Sequence, residues 1–78
     1  MKYEATYVPA QFFAGFTSGH RQFELPSDDQ AIWYAENPEE HSTPLRFVIP
    51  NGNGTCGAVI RKLVELKDSE PPRVVKEW

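Results

Sequence analysis

Cysteine is almost absent from this chain. Cys56 is the only one, so no internal disulfide can staple the fold, and a reducing cytoplasm is the simplest setting. Histidine is nearly as scarce, with only His20 and His41 to serve as a general base. No apolar run approaches the roughly 20 residues of a membrane-spanning helix. The opening Met1-Lys2-Tyr3-Glu4-Ala5-Thr6 has no apolar segment of signal-peptide character. A basic surplus is also missing: 8 Lys and Arg stand against 11 Asp and Glu, for a net charge of −3. General nucleic-acid binders displace phosphate counterions with Lys and Arg, so this balance argues against that class. The sequence carries no internal repeat and no low-complexity segment.

What the chain has instead is aromatic side chains, 13% of its 78 residues. That length makes one domain, residues 1–78, with no room for a second core. Each buried ring removes roughly 150–250 Å² from water, so a few rings can build a core that short aliphatics could not.

Residues Lys2 to Val8 alternate, with Tyr3, Ala5 and Tyr7 on one face, and Pro9 closes the segment. Gln11 to Gly19 holds Phe12, Phe13 and Phe16 among glycines and hydroxyls and reads as an aromatic-rich connection. His20 to Leu25 alternates again, with Arg21, Phe23 and Leu25 on one side. Next comes the sharpest local signal. Ser27 and Gln30 have the S-x-x-Q spacing of a capping box, which satisfies two amides that a first helical turn leaves orphaned. Asp28 and Asp29 add negative charge at the positive end of the helix dipole. Pro38 closes the helix after about three turns.

Leu45 to Ile49 is a short strand between Pro44 and Pro50, with Leu45, Phe47 and Ile49 on one face. Asn51-Gly52-Asn53-Gly54 is a tight turn signal. Residues 58–67 fit either an amphipathic helix or a strand with Ile60, Val64 and Leu66 on one face. The β-branched residues and the preceding turn favour the strand. After Pro71-Pro72, Arg73 to Trp78 reads as a short last strand. The fold class is therefore α+β: a small antiparallel sheet in the order β-β-α-β-β, with a fifth strand at the end and one short helix on one face. The expected core is Tyr3, Ala5, Tyr7, Phe23, Leu25, Ile32, Ala35, Phe47, Ile49, Ile60 and Val64.

No catalytic constellation emerges. Cys56 with His41 would need thiol and ring to meet across the fold, and a structural thiol is the commoner case. Asp28, Asp29, Glu39, Glu40 and His41 match neither zinc nor calcium ligand spacing. Asn51 to Gly54 lacks the Lys-Ser or Lys-Thr and the βαβ setting of a phosphate loop. The expectation is no enzyme, no cofactor and no metal. The aromatics Phe12, Phe13, Phe16, Trp33 and Tyr34 exceed what one thin sheet–helix interface needs. The three phenylalanines suit either a loop folded onto the core or an exposed contact, whereas Trp33 with Tyr34 favours a contact surface. The leading expectation is thus a cytosolic protein-interaction module, an acidic inhibitor or adaptor, that binds a protein partner or pairs with itself through a sheet edge. The alternative is a single-stranded nucleic-acid binder, stacking bases on Tyr3, Tyr7 or Phe23 and meeting phosphates with Arg61, Lys62, Arg73 and Lys76.

Overall fold

A computed structural model describes residues 1–37, 46–50 and 54–78. The elements are β1 (Lys2–Pro9), β2 (Gly19–Glu24), α1 (Asp28–Glu36), β3 (Arg46–Val48), β4 (Thr55–Leu66) and β5 (Arg73–Glu77). The strands form one sheet in the order β2-β1-β4-β3, and β5 also pairs with β4. Every pairing is antiparallel. The α+β architecture is as expected, with the fifth strand present. Residues 58–67 belong to the long strand β4, which pairs with β1 on one side and with β3 and β5 on the other. The expected loop over 38–44, including Glu39, Glu40 and His41, lies outside the described residues, as do Leu45 of the expected third strand and residues 51–53 of the tight turn. Gly54 is described, and its φ of 89° is the left-handed conformation that glycine takes without strain.

One face of the sheet is buried under α1. Tyr3, Ala5 and Tyr7 lie on it with Ala31, Ala35 and Leu63, all at 0% exposure. The helix sits close because Ala31 and Ala35, one turn apart, are the residues it turns to the sheet. Two tyrosines set its height. Tyr3 donates its hydroxyl to Asp28 Oδ1 at 2.8 Å, and Tyr7 donates to the Ala35 carbonyl at 2.8 Å. Four strand residues rise about 13 Å and seven helical residues about 10.5 Å, so the two hydroxyls meet opposite ends of the helix. The cap forms as expected in its first half: the Gln30 amide donates to Ser27 Oγ at 3.3 Å. Among the described residues the reciprocal bond from the Gln30 side chain does not form. At the far end, Asn37 Nδ2 donates to the Trp33 carbonyl at 2.7 Å.

Three core expectations need correction. Leu63, rather than Val64, is the β4 residue that enters the core. The cause is a bulge: Thr6 pairs with Lys62 but Tyr7 pairs with Ile60, so Arg61 has no opposite number on β1. The extra residue flips the phase of the strand. Cys56, Ala58 and Ile60 face inward before it, and Leu63 and Glu65 after it. Ala31 is fully buried although only Ile32 and Ala35 were expected from the helix; Ile32 packs at its margin. Ile49 is half-buried and lies outside the core cluster. The sheet curls strongly: Phe47 on β3 reaches over the inner face so far that a Cβ on Gly19 of β2 would stand 3.1 Å from its Cζ.

Candidate interaction surface

The aromatic residues singled out above fall into two groups. Phe12, Phe13 and Phe16 cluster in the connection between β1 and β2, with Phe16 edge-on to both Phe12 and Phe13 at 5.8 Å between centroids. Phe12 is 89% exposed, while Phe13 and Phe16 are half-buried. None of the three is among the residues packed against the core cluster; they pack on one another, Phe12 the most exposed. Trp33 and Tyr34 form the second group, lining a groove of about 310 Å³ with Leu25 and Gln30. Trp33 is 57% exposed. Tyr34 is half-buried because its ring tilts onto Phe23 at 4.4 Å, which in turn stacks on Tyr3 at 5.9 Å. The two groups sit at opposite ends of β2: the phenylalanine cluster enters the strand at Gly19, and the groove is built on Leu25 just past Glu24. β2 itself is an edge strand, paired only with β1 among the described residues.

A charged cluster that sequence reasoning missed ties the sheet to the start of α1. Arg73 Nη2 reaches both carboxylate oxygens of Asp28 at 3.0 Å, and Arg73 Nε donates to Glu65 Oε1 at 2.9 Å. Glu65 is nearly buried, so Arg73 supplies the cation that makes its burial tolerable. The bulge hid this contact, because without it Glu65 would point to the open face. The Tyr3 hydroxyl joins the same cluster, and burial followed by its bond to Asp28 pushes its pKa up to about 12. The hydrogen bond from Tyr3 and then Arg73 hold the Asp28 carboxyl below the usual range. At the other end of α1, Trp78 Nε1 donates to Glu36 Oε2 at 2.7 Å and Lys76 Nζ reaches it at 3.4 Å. Those contacts, the indole first, lower the Glu36 pKa. These clusters account for their own charges: they fasten β5 to the helix across the sheet.

The remaining candidates are separated. Cys56 is buried on the inner face opposite Phe47, and its proposed partner His41 lies outside the described residues. His20 is exposed on the outer face, with Nδ1 3.1 Å from Thr6 Oγ1. Among the described residues no group of His, Cys, Asp or Glu could hold a metal ion, and no helix is long and apolar enough to cross a membrane. The rings considered for base stacking are engaged. Tyr3 and Tyr7 are covered by α1, and Phe23 lies between Tyr3 and Tyr34. Of the four cations, Arg73, Lys76 and Lys62 already face Glu65, Glu36 and Glu77. No protein-family model, curated protein or solved structure matches this chain.

Proposed function

We propose that the chain is a non-enzymatic, cytoplasmic protein-interaction module that works through the aromatic surface flanking β2. The observation that carries this is Trp33, more than half exposed above an apolar groove of Leu25 and Tyr34. An exposed Trp at the mouth of a groove is the side chain most enriched at binding hot spots, and it contributes little to a core it does not enter. The engagement of the inner-face rings with the helix favours this over nucleic-acid stacking. The test is capture from source lysate by tagged wild type and by Trp33→Ala, each with and without nuclease. A stoichiometric protein that survives nuclease and is lost with Trp33→Ala, while circular dichroism stays unchanged, is the expected result. A partner lost on nuclease treatment, or one indifferent to Trp33, overturns it.

A further inference from the structure

Among the described residues the sheet has three edge strands, β2, β3 and β5, and two are blunted. β3 is only three residues long and runs into Pro50. β5 follows Pro71-Pro72 and carries a bulge at Val75, because Leu63 pairs with Lys76 but Val64 pairs with Val74. Short strands, prolines and bulges are the devices that stop an edge from recruiting another strand. β2 has none of them: six residues, unbroken register and no proline.

Its backbone polarity follows from its pairing with β1. Leu25 and Met1 exchange both bonds, amide to carbonyl, at 3.0 Å. Antiparallel ladders alternate, so Phe23, Arg21 and Gly19 also turn their backbone groups toward β1. His20, Gln22 and Glu24 therefore turn theirs outward, where among the described residues nothing pairs with them.

We infer that a second copy of this chain docks antiparallel along β2 in the register that places Gln22 opposite the partner's Gln22. The inference rests on the binding-module reading above and names its partner. This register alone opposes all three outward residues, for six backbone bonds; a slip of two residues sets a strand end against Pro26 or against Ser18 in the loop. On the outer face it places His20 against the partner's Glu24, and Glu24 against the partner's His20, a polar pair of complementary character. On the inner face Arg21 comes opposite the partner's Phe23, a non-hydrogen-bonded pair of that ladder. It also gives the two aromatic groups a common purpose. Because the strands run in opposite directions, the Gly19 end of one copy lies beside the Leu25 end of the other. The phenylalanine cluster of each chain is thereby brought to the Trp33 groove of its partner, a meeting that cannot occur within one chain because β2 separates them. The two-fold axis repeats every contact, so the interface closes at two copies.

Sedimentation equilibrium of the whole chain, from low micromolar to millimolar concentration, reads the mass. Twice the 8.9 kDa of one chain is expected at the upper end. Gln22→Pro removes an amide that points to solvent in the single chain, a position an edge strand tolerates, and should weaken association at least about tenfold with an unchanged circular dichroism spectrum. A second readout does not depend on that variant folding. In a Cys56→Ala background, Gln22→Cys places two thiols on Cα atoms about 5.5 Å apart, within reach of a disulfide. Gln22→Cys should cross-link under mild oxidation. His20→Cys alone should not, whereas a mixture of His20→Cys with Glu24→Cys should. A mass of one chain at every concentration, a dimer indifferent to Gln22→Pro when that variant folds, or His20→Cys cross-linking as readily as Gln22→Cys overturns the inference. A monomer that still captures a Trp33-dependent partner leaves the binding module standing, and a monomer that captures none removes both.

Discussion

Replacing Leu63 by Ala should bring this protein to the edge of unfolding, while replacing its neighbour Val64 should hardly be felt. Leu63 is the one large aliphatic side chain at 0% exposure among the described residues, surrounded by Ala5, Ala31 and Ala35. Those alanines cannot fill the void it would leave. Nor can the helix settle into it, since Tyr3 and Tyr7 are hydrogen-bonded at either end and hold the helix off the sheet. A site that cannot collapse belongs in the upper part of the range for Leu→Ala, about 3–5 kcal/mol. A chain of this size has on the order of 4–12 kcal/mol in total. Val64 is half-buried on the open face beside Glu4 and Val74, and its truncation should cost below about 1 kcal/mol. Urea titrations followed by far-ultraviolet circular dichroism, at low micromolar protein so that association adds nothing, separate the two. With an m-value near 1 kcal/mol/M, Leu63→Ala should lower the midpoint by about 3 M or more, or leave no folded baseline at all. Equal losses at the two positions, or a larger one at Val64, would refute the bulge at Arg61 and the account of the core built on it.

Two further outcomes follow from the charged clusters. Tyr3 ionises near 10 when unfolded but at about 12 in the fold, so the unfolded chain loses its proton first and stability should fall as pH rises from about 10 to 12. Tyr3→Phe should flatten that limb of a pH–melting-temperature curve; an unchanged slope would show that Tyr3 is not the group responsible. Arg73→Met leaves nearly buried Glu65 without its cation, so melting temperature should drop and β5 amides should exchange faster than those of β1. The same variant should shrink the acid limb, because Asp28, held below its ordinary pKa, contributes stability above that ordinary value and loses it as pH falls through the lowered one. Uniform exchange across the sheet, or an acid limb left intact, would speak against the clamp.

The elements were legible where local rules suffice. Alternation placed Tyr3, Ala5 and Tyr7 on one face, and Ser27 marked the start of α1 through its own side-chain chemistry. The strand character of residues 58–67 followed from their β-branched residues, although Val59, Ile60 and Leu63 also satisfy helical spacing. What failed was phase. A bulge is decided by how two strands fit after they have met, and nothing in Ile60-Arg61-Lys62-Leu63 announces which residue will be skipped. Once the phase is wrong, Val64 replaces Leu63 in the expected core, and Glu65 with Arg73 is lost from view. Ala31 was overlooked for a different reason: small residues are buried for close approach, whereas transfer energy points first to the larger Ile32. Of the surface, Trp33 was legible from its position on the helix. The packing of the three phenylalanines on one another was not, since a loop with two glycines has no period to read.

The pairing of β1 with β4 also bears on how the chain is made. Ala5 waits for Leu63, 58 positions later. At about 5–20 residues per second, ribosomal synthesis of that interval takes roughly 3–12 s. During those seconds β1 can pair only with β2, and the hairpin shows a bare strand on both sides. The centre of the finished sheet is thus its oldest segment and among the last to be enclosed. Nascent chains on crowded polysomes would meet one another in that open-sided form, before any of them owns a core.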